Sequence, residues 1–395
     1  MSIAVDATAN ASSAQHAVDR REARIADVRL AIRSLLVLCC LCGCGGGDRD
    51  EPARLSADEA EAVATVKEAA GSGLFSGAVQ LSNDGRTLFE RAYGLADRTR
   101  KVPNALVTRF RIGSMNKMFT AVAVMQLVEA GKLDLEAPLG TYLRDYPNDD
   151  VADSVTIHHL LTHTGGTGDI FGPEFDAHRS ELRALGDYVG LYGERGLEFR
   201  PGSGSSYSNY GFILLGVVIE RVTGQSYYEY VQERVYEPAG MTRTGSLAEG
   251  EDVEGRAIGY MRPPGSTEWT PNTDTLPYRG TSAGGGYSTV GDLTRFAQAL
   301  LGHELLSAES TKRLVTGKVD SDLSVATGDR YAYGFQDARD AKRNGWVGHG
   351  GGAPGMNGDL RIYPKSGYVV AVLANLDPPA AQNVSEYIDF QLPRR

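Results

Sequence analysis

Residues 113–117 have the sequence GSMNK and stand directly before an apolar run, MFTAVAVMQLVEAGKL, at 118–133. The run predicts a buried helix, so Ser114 and Lys117 lie three positions apart at its beginning. Positions i and i+3 of a helix share a face, and the lysine amine can therefore reach the serine hydroxyl. Two interpretations are open at this point. Either Ser114 is a helix cap and Lys117 a surface charge, or the two are a nucleophile and its base.

The chemistry of a helix N-terminus is compatible with the second interpretation. Its free N–H groups and partial positive charge can stabilise an oxyanion that develops on an attacked carbonyl. Burial of Lys117 beside Phe119 and Val122 would lower its pKa, because desolvation disfavours the ammonium ion, and a general base at neutral pH needs such a lowered pKa. The S-x-x-K pattern is common by chance, however, so it does not decide the question alone.

A second candidate segment is Tyr207-Ser208-Asn209, within PGSGSSYSNYGF at 201–212. Taken alone, it is typical of a loop in which Asn209 caps the following helix. A tyrosine held near a lysine can also relay a proton, and an asparagine amide can orient a substrate carbonyl.

A third candidate is His349-Gly350-Gly351-Gly352, within GWVGHGGGAPGMNGDLRIYP at 345–364. A glycine run at a strand indicates either a mobile loop or a close approach to the backbone. In the second case a substrate can lie against the bare strand. An N–H group there could then complete an oxyanion hole with that of Ser114.

In this order along the chain, the three motifs resemble those of the serine β-lactamase and penicillin-binding-protein superfamily. The resemblance is greatest to the class C-like branch, which also contains DD-carboxypeptidases and esterases. It covers nearly all of the chain from about residue 60 to 390. Three further stretches agree with it: LLTHTGG at 160–166, FRPGSGSSYSN at 199–209 and GGGYSTVGDLTRF at 284–296.

The resemblance implies a role for each motif residue. Ser114 would be the nucleophile, and Lys117 its base or proton relay. Tyr207 would pass the proton to the leaving group, and Asn209 would hold the acyl side of the substrate. The N–H groups of Ser114 and Gly352 would form the oxyanion hole, and hydrolysis would proceed through an acyl-enzyme without a cofactor.

The strand motif departs from the superfamily at one position. Its lactamases and DD-carboxypeptidases typically have K-T-G or H-T-G there, whereas this chain has His349-Gly350-Gly351. The hydroxyl that helps to hold a substrate carboxylate is missing, and histidine is a weaker cation than lysine. The motif therefore favours esters or small amides over β-lactams, with a D-Ala-D-Ala carboxypeptidase or β-lactamase as the alternative.

The order of predicted elements indicates an α+β fold of the β-lactamase/transpeptidase type. Strand signals lie near both ends of the chain, including a hairpin around Asn83-Asp84-Gly85, and helical segments dominate the middle. We therefore expect an αβα sandwich whose antiparallel sheet is built from both termini, with an inserted all-helical lobe. The expected domain spans 56–395, with the sheet lobe at about 56–110 and 255–395 and the helical lobe at about 111–254.

Residues 1–44 are predicted to be a lipoprotein-type signal peptide. The apolar stretch SLLVLCCLCG at 34–43 is too short to span a bilayer, and Leu41-Cys42-Gly43-Cys44 resembles a bacterial lipobox with Cys44 as the lipidation site. Residues 45–55 would form a tether. We accordingly expect an exported protein that contacts the membrane through its lipid anchor.

Composition excludes some function classes and leaves others open. The formal net charge of −10 lacks the basic footprint of a nucleic-acid binder. All four cysteines lie within 39–44, in an apolar run without a nearby histidine, so a cysteine metal site is disfavoured. A lipid-anchored, non-catalytic module that binds peptidoglycan remains a rival, although such a binder has no need of an activated nucleophile.

Two other motifs suggest rival chemistry. Residues 280–284 fit G-x-S-x-G, the nucleophile elbow of α/β-hydrolases, but the segment before Ser282 is polar and interrupted by prolines rather than a buried strand. His158, His159 and His163 could suggest a metal site. Only Asp169, in a loop, offers a further ligand, so histidines with ordinary hydrogen bonds are the preferred interpretation.

Overall fold

The computed structural model describes residues 57–71, 73–263, 265–320, 329–340 and 342–393. The signal peptide, the lipidation site Cys44 and the tether predicted from the sequence lie outside these residues. In the described part of the chain, no helix combines the length and apolarity needed to cross a membrane.

A large antiparallel sheet forms the centre of the fold, and the described residues contribute eight strands to it in the order β2-β1-β14-β13-β12-β11-β10-β9. Short strand pairs, β3–β4, β5–β8 and β6–β7, lie outside it. The strands are β1 (Gly77–Asn83), β2 (Arg86–Tyr93), β3 (Leu95–Asp97), β4 (Val102–Pro103), β5 (Phe110–Arg111), β6 (Tyr260–Met261), β7 (Thr270–Pro271), β8 (Tyr287–Ser288), β9 (Val319–Asp320), β10 (Arg330–Tyr331), β11 (Gln336–Arg339), β12 (Gly345–Ala353), β13 (Met356–Ile362) and β14 (Tyr368–Ala374).

Helices cover both faces of this sheet and fill the region between β5 and β6. They are α1 (Ala57–Gly71), α2 (Asn116–Glu129), α3 (Asp149–Ser154), α4 (Ile157–Leu161), α5 (Pro173–His178), α6 (Leu185–Tyr192), α7 (Asn209–Thr223), α8 (Tyr227–Val231), α9 (Val290–Leu301), α10 (Ala308–Val315) and α11 (Ala380–Gln391).

Strands from the two ends of the described chain pair inside the sheet, where they are the second and third strands. Strand β1 pairs with β14 from Gly77↔Ala374 to Asn83↔Tyr368. On its other side β1 continues into β2 through a turn in which Asp84 and Gly85 both have positive φ, 47° and 81°, as the Asn-Asp-Gly signal requires.

Strand β14 shows how its sequence fits this position. All seven of its residues are buried. Val370 and Val372 pack in the core beneath α1 and α11, while Val369, Ala371 and Leu373 face the larger core on the opposite side. A strand that is apolar on both faces needs a layer of helices on each, which is what an αβα sandwich provides. The α+β fold expected from the sequence is confirmed.

Helix α2 is the central helix of the region between β5 and β6. Ten successive residues, 116–125, are buried, and Phe119 makes edge-to-face contacts with Tyr236 and Phe296 at ring-centre distances of 5.2 and 4.8 Å. Burial of each such side chain contributes about 1.5–3 kcal/mol. The helix that begins just after Ser114 is thus fixed on all sides, and so is the direction of its first turn.

Strand β12 extends beyond its neighbour β11. Strand β11 pairs only with residues 345–348, whereas β13 pairs with residues 347–353. The last part of β12 therefore lies beside the turn at 113–115 instead. A Cβ placed on Gly351 would lie 1.9 Å from the Ile112 carbonyl oxygen, so only glycine permits this approach.

Candidate active site

Ser114 lies in a short 3₁₀ turn, Gly113–Met115, that leads into α2. The N-cap of α2 is Met115, which has no side-chain capping bond, so the capping interpretation of Ser114 is wrong. The Ser114 side chain instead lies close enough to the Tyr207 phenol to oppose the rise of its pKa. Gly113 adopts a left-handed φ of 53°, which bends the chain sharply before the serine.

Lys117 is fully buried, and its amine has two hydrogen-bond acceptors. Nζ donates to Asn209 Oδ1 at 2.7 Å and to the Ala283 carbonyl at 2.6 Å. It also lies 4.6 Å from the centre of the Tyr207 ring. Burial lowers the pKa of Lys117 to about 7, with partial compensation by the Asp169 carboxylate. At neutral pH a large share of this amine is therefore unprotonated and able to accept a proton.

A buried loop at 281–283 holds the polar face of α2. Asn116 Nδ2 donates to the Thr281 carbonyl at 2.9 Å, and Thr120 Oγ1 donates to the Ser282 carbonyl at 2.7 Å. Lys117, which lies between them, donates to the next carbonyl, that of Ala283. This loop was not predicted to be part of the site. Its signal was the set of polar positions 116, 117 and 120 within an otherwise apolar helix, which need buried acceptors.

Tyr207 presents its ring to the surface and its hydroxyl to Ser114. The side chain is 42% exposed. Desolvation nevertheless raises the pKa of the phenol above its ordinary value, although the neighbouring Ser114 side chain opposes this. The phenol is thus neutral when Lys117 titrates, and it can pass a proton on but does not begin as a phenolate.

The cap of α7 differs from the one expected. Ser208, rather than Asn209, is the N-cap, and its hydroxyl accepts the Gly211 N–H at 2.9 Å. Asn209 is the first residue of the helix, and its amide oxygen is left to accept from Lys117. The Y-x-N motif therefore places an aromatic ring and an amide oxygen beside the same lysine.

His163 lies behind Tyr207 and is neutral. It follows α4 with a left-handed φ of 61°, and its Nδ1 accepts the Ser208 N–H at 3.1 Å. Its ring lies 4.4 Å from that of Tyr207 and 4.6 Å from that of Tyr331. Burial, Lys117 and His349 all hold its pKa well below the ordinary value. Sequence reasoning considered His163 only as a metal ligand and missed this contact.

His349 is a neutral ring and not a cation. Its Nδ1 must donate to the Gly350 carbonyl, which can only accept, so Nε2 accepts from the Tyr331 hydroxyl at 3.1 Å. Burial, followed by the charge of Lys117, lowers the pKa of His349 to about 3. The structure places it 6.5 Å from the Tyr207 ring centre, beside the cluster but without a direct bond to Ser114 or Lys117 among those described.

The three glycines after His349 face different neighbours. A Cβ on Gly350 would point at Gln382 of α11, 3.2 Å from its Nε2, and one on Gly352 would meet Pro378. The Gly352 amide nitrogen lies 3.0 Å from the position of a Cβ on Gly113, next to the nucleophile turn. Weak carboxylate binding is therefore expected mainly because His349 is neutral, and less because a hydroxyl is missing at Gly350.

The other two histidines have local partners. His159 completes a capping box at the start of α4, and His158 Nδ1 is 2.8 Å from the Tyr333 hydroxyl. In the described parts of the chain no group of three or more His, Cys, Asp or Glu side chains could hold a metal ion.

Ser282, the rival nucleophile, is fully buried and its hydroxyl lacks a partner among the described residues. It packs against α7, where a Cβ on Gly216 would lie 2.4 Å from its oxygen. We expect Ser282→Ala to keep kcat/KM within about twofold of the wild-type value and to leave stability unchanged or raised, because an unpaired buried hydroxyl is removed. Ester hydrolysis and a thermal melt check this, and an inactive but folded variant would restore the α/β-hydrolase interpretation.

The arrangement brings a serine, a phenol and an amine together. Lys117 is hydrogen-bonded to Asn209 and lies 4.6 Å from the centre of the Tyr207 ring, and the Tyr207 phenol lies beside Ser114. The lysine is the group whose pKa lies near neutrality. Such an arrangement can deprotonate the serine and carry the proton to a leaving group.

Comparison with known proteins agrees with this chemistry. The sequence matches the family described as Beta-lactamase over residues 62–391. It is 32% identical over 302 residues to penicillin-binding protein 4 of Amycolatopsis lactamdurans, covering 73% of this chain and 77% of that one.

Solved structures give the same result. A penicillin-binding protein from Bacillus halodurans is 35% identical with a TM-score of 0.75, covering 84% of this chain and 99% of that one. A D-stereospecific amidohydrolase from Streptomyces sp. is 26% identical with a TM-score of 0.70, covering 84% and 98%. The neighbouring serine, lysine and tyrosine thus occur in a chain that belongs to the β-lactamase family of serine hydrolases.

Proposed function

We propose that this serine hydrolase acts on esters or small amides through an acyl-enzyme on Ser114. The observation that carries the proposal is a buried Lys117 amine whose pKa is about 7, held by Asn209 beside the Tyr207 phenol, which in turn lies next to Ser114. Relatives named as penicillin-binding proteins and an amidohydrolase support the reaction class.

The proposed reaction has two halves. The Ser114 oxygen attacks the substrate carbonyl while its proton moves through the Tyr207 hydroxyl to the neutral Lys117 amine. The oxyanion accepts hydrogen bonds from the backbone N–H groups of Ser114 and Gly352. The C–O or C–N bond then breaks as the proton returns from Lys117 through Tyr207 to the leaving group. Water then attacks the acyl-enzyme with the help of the same proton path, which releases the acid and free Ser114.

The electrostatics of the site favour a substrate with an uncharged leaving group. The charges that shift the pKa values of Lys117, Tyr207 and His349 are those of Asp169 and Lys117 alone. The Lys117 amine is the one cation among them, and it already donates to Asn209 and to the Ala283 carbonyl. Burying an unpaired carboxylate is costly, so esters and amides fit better than C-terminal acids.

The experiment uses two peptides that differ only in one charge, acetyl-D-Ala-D-Ala and its C-terminal amide, together with p-nitrophenyl acetate and nitrocefin. We expect the ester to be hydrolysed fastest and the peptide amide at least as fast as the acid. Mass spectrometry should show an acyl group on Ser114, and Ser114→Ala should hydrolyse none of them. A preference of about 100-fold for the free acid would instead indicate a DD-carboxypeptidase, and efficient nitrocefin turnover a β-lactamase.

Labelling of the active serine distinguishes an enzyme from a peptidoglycan-binding module. A fluorophosphonate probe forms a stable adduct with an activated serine, and Lys117→Met should suppress that adduct. If the wild-type protein binds peptidoglycan fragments but neither hydrolyses a substrate nor takes up the probe, the catalytic proposal is wrong.

We also propose that the protein is exported and anchored through a lipid on Cys44. Support comes from the lipobox-like Leu41-Cys42-Gly43-Cys44 alone. Metabolic labelling with an alkyne fatty acid should mark the wild-type protein and leave Cys44→Ser unmarked. Equal labelling of the two would reject this anchor.

A further inference from the structure

The carboxylate of Asp169 lies directly behind Asn209, on the loop that follows His163. Oδ1 accepts the backbone N–H of Asn209 at 2.8 Å, and Oδ2 accepts from its side-chain Nδ2 at 3.1 Å. Oδ1 also accepts the Ile170 N–H at 2.8 Å. The mechanism proposed above assigns this carboxylate no part.

Two bonds to one residue determine which way the Asn209 amide points. A carboxylate can only accept, so it requires the NH₂ group of the amide on its side. The amide oxygen is then turned towards Lys117, whose Nζ donates to it at 2.7 Å. With the amide reversed, two donors would face one another at 2.7 Å. Asp169 therefore fixes the acceptor that holds the catalytic amine.

The loop of Asp169 is itself anchored away from the site. Arg195 donates from Nη1 to the Asp169 carbonyl at 2.9 Å and forms an ion pair with Glu174. The backbone of Asp169 is thus held in place by Arg195, and its carboxylate is available to bond Asn209. It is also the anionic group that acts on the pKa of Lys117.

We propose that Asp169 is a positioning residue that orients the Asn209 amide and thereby places Lys117 for proton transfer. The proposal rests on the Ser114–Lys117 function argued above. Lys117 has other neighbours that bear on its proton affinity, and all are neutral near pH 7: the phenols of Tyr207 and Tyr331 and the imidazoles of His163 and His349. Loss of Asp169 is therefore not offset by another anion.

The test is Asp169→Asn in the full chain, with kcat/KM for p-nitrophenyl acetate measured from pH 5 to 10. We expect kcat to fall by about ten- to a hundredfold, because the lysine loses its fixed acceptor. The acid limb of the profile should move to lower pH, by about one pH unit, because removal of an anion makes the ammonium form of Lys117 less favourable. A merely structural aspartate would not move that limb.

The matched control is Asp187→Asn. Asp187 accepts hydrogen bonds from backbone N–H groups at the start of α6, as Asp169 does at the start of α7, but none of its described bonds involves Lys117. The Asp187→Asn variant should therefore have lower stability and an unmoved acid limb. An unchanged limb and kcat in Asp169→Asn, with Ser114→Ala inactive, would overturn the role of Asp169 and leave the proposed function standing. An active Ser114→Ala would overturn the proposed function instead.

Discussion

Lys117→Met is expected to lower kcat/KM for the best ester by about 10²- to 10⁴-fold, the range of a lost general base. Methionine has a similar length and fits the apolar surroundings of α2, but it cannot accept a proton from Ser114. The fold should survive, because the helix is held by its apolar faces and by Asn116 and Thr120. Steady-state kinetics and circular dichroism on the same preparation measure both effects.

Lys117→Met should also change how the free energy of unfolding depends on pH. The pKa of Lys117 is lowered from 10.5 to about 7, so between these values the unfolded chain binds a proton that the folded chain does not. Wild-type stability therefore rises with pH across this window, and the Met variant lacks the contribution. Relative to Lys117→Met, the wild-type free energy of unfolding should rise by about 2 kcal/mol between pH 7 and 9.

Lys318 provides the control. Burial and nearby arginines lower its pKa to about 8, and its amine lies over the Tyr333 ring rather than in the Ser114 cluster. Lys318→Met should keep near wild-type activity. If it inactivated the enzyme as strongly as Lys117→Met, or if Lys117→Met remained active, Lys117 would not be the base.

Tyr207→Phe is expected to lower kcat/KM by about 10²- to 10³-fold while leaving stability almost unchanged. The phenyl ring keeps its contact with the His163 ring, but the hydroxyl that joins Ser114 to the proton path is gone. The loss should be greatest for poor leaving groups such as amides, which need protonation to depart. An activated p-nitrophenyl ester needs it less, so comparison of the two substrates tests the role directly.

Tyr146→Phe is the matched control for the phenol. Unlike Tyr207, Tyr146 is buried, and its hydroxyl is hydrogen-bonded to that of Tyr210 at 3.1 Å within the helical region. Its loss should lower stability and leave the amide-to-ester ratio unchanged. A similar ratio change in both variants would mean that Tyr207 acts through packing and not through proton transfer.

The sequence predicts the α+β fold because its signals are local, and it nominates the candidate residues from local signals too. The S-x-x-K turn, the Asn-Asp-Gly hairpin and the apolar β14 are all recognised within a few residues. Resemblance to a known family then supplied their expected arrangement in space. The structure adds the bond of Lys117 to Asn209 and the position of Tyr207 beside Ser114 and Lys117.

What sequence reasoning missed depends on neighbours far away along the chain. The neutrality of His349 follows from Tyr331, 18 residues before it, and from burial. The acceptor of Lys117 at Ala283 is 166 residues distant, and the orientation of Asn209 depends on Asp169, 40 residues before it. Side-chain partners across such separations leave no periodic pattern, so they appear only when the chain is folded.

The pairing of β1 with β14 has a consequence for how the protein reaches its native state. Register Gly77↔Ala374 joins segments almost 300 residues apart, and these two strands occupy the interior of the sheet. Loop-closure entropy makes such distant contacts late and slow to form. During synthesis the central sheet cannot close until β14 has been made, and truncation before β14 would leave β1 and β13 without the strand that joins them.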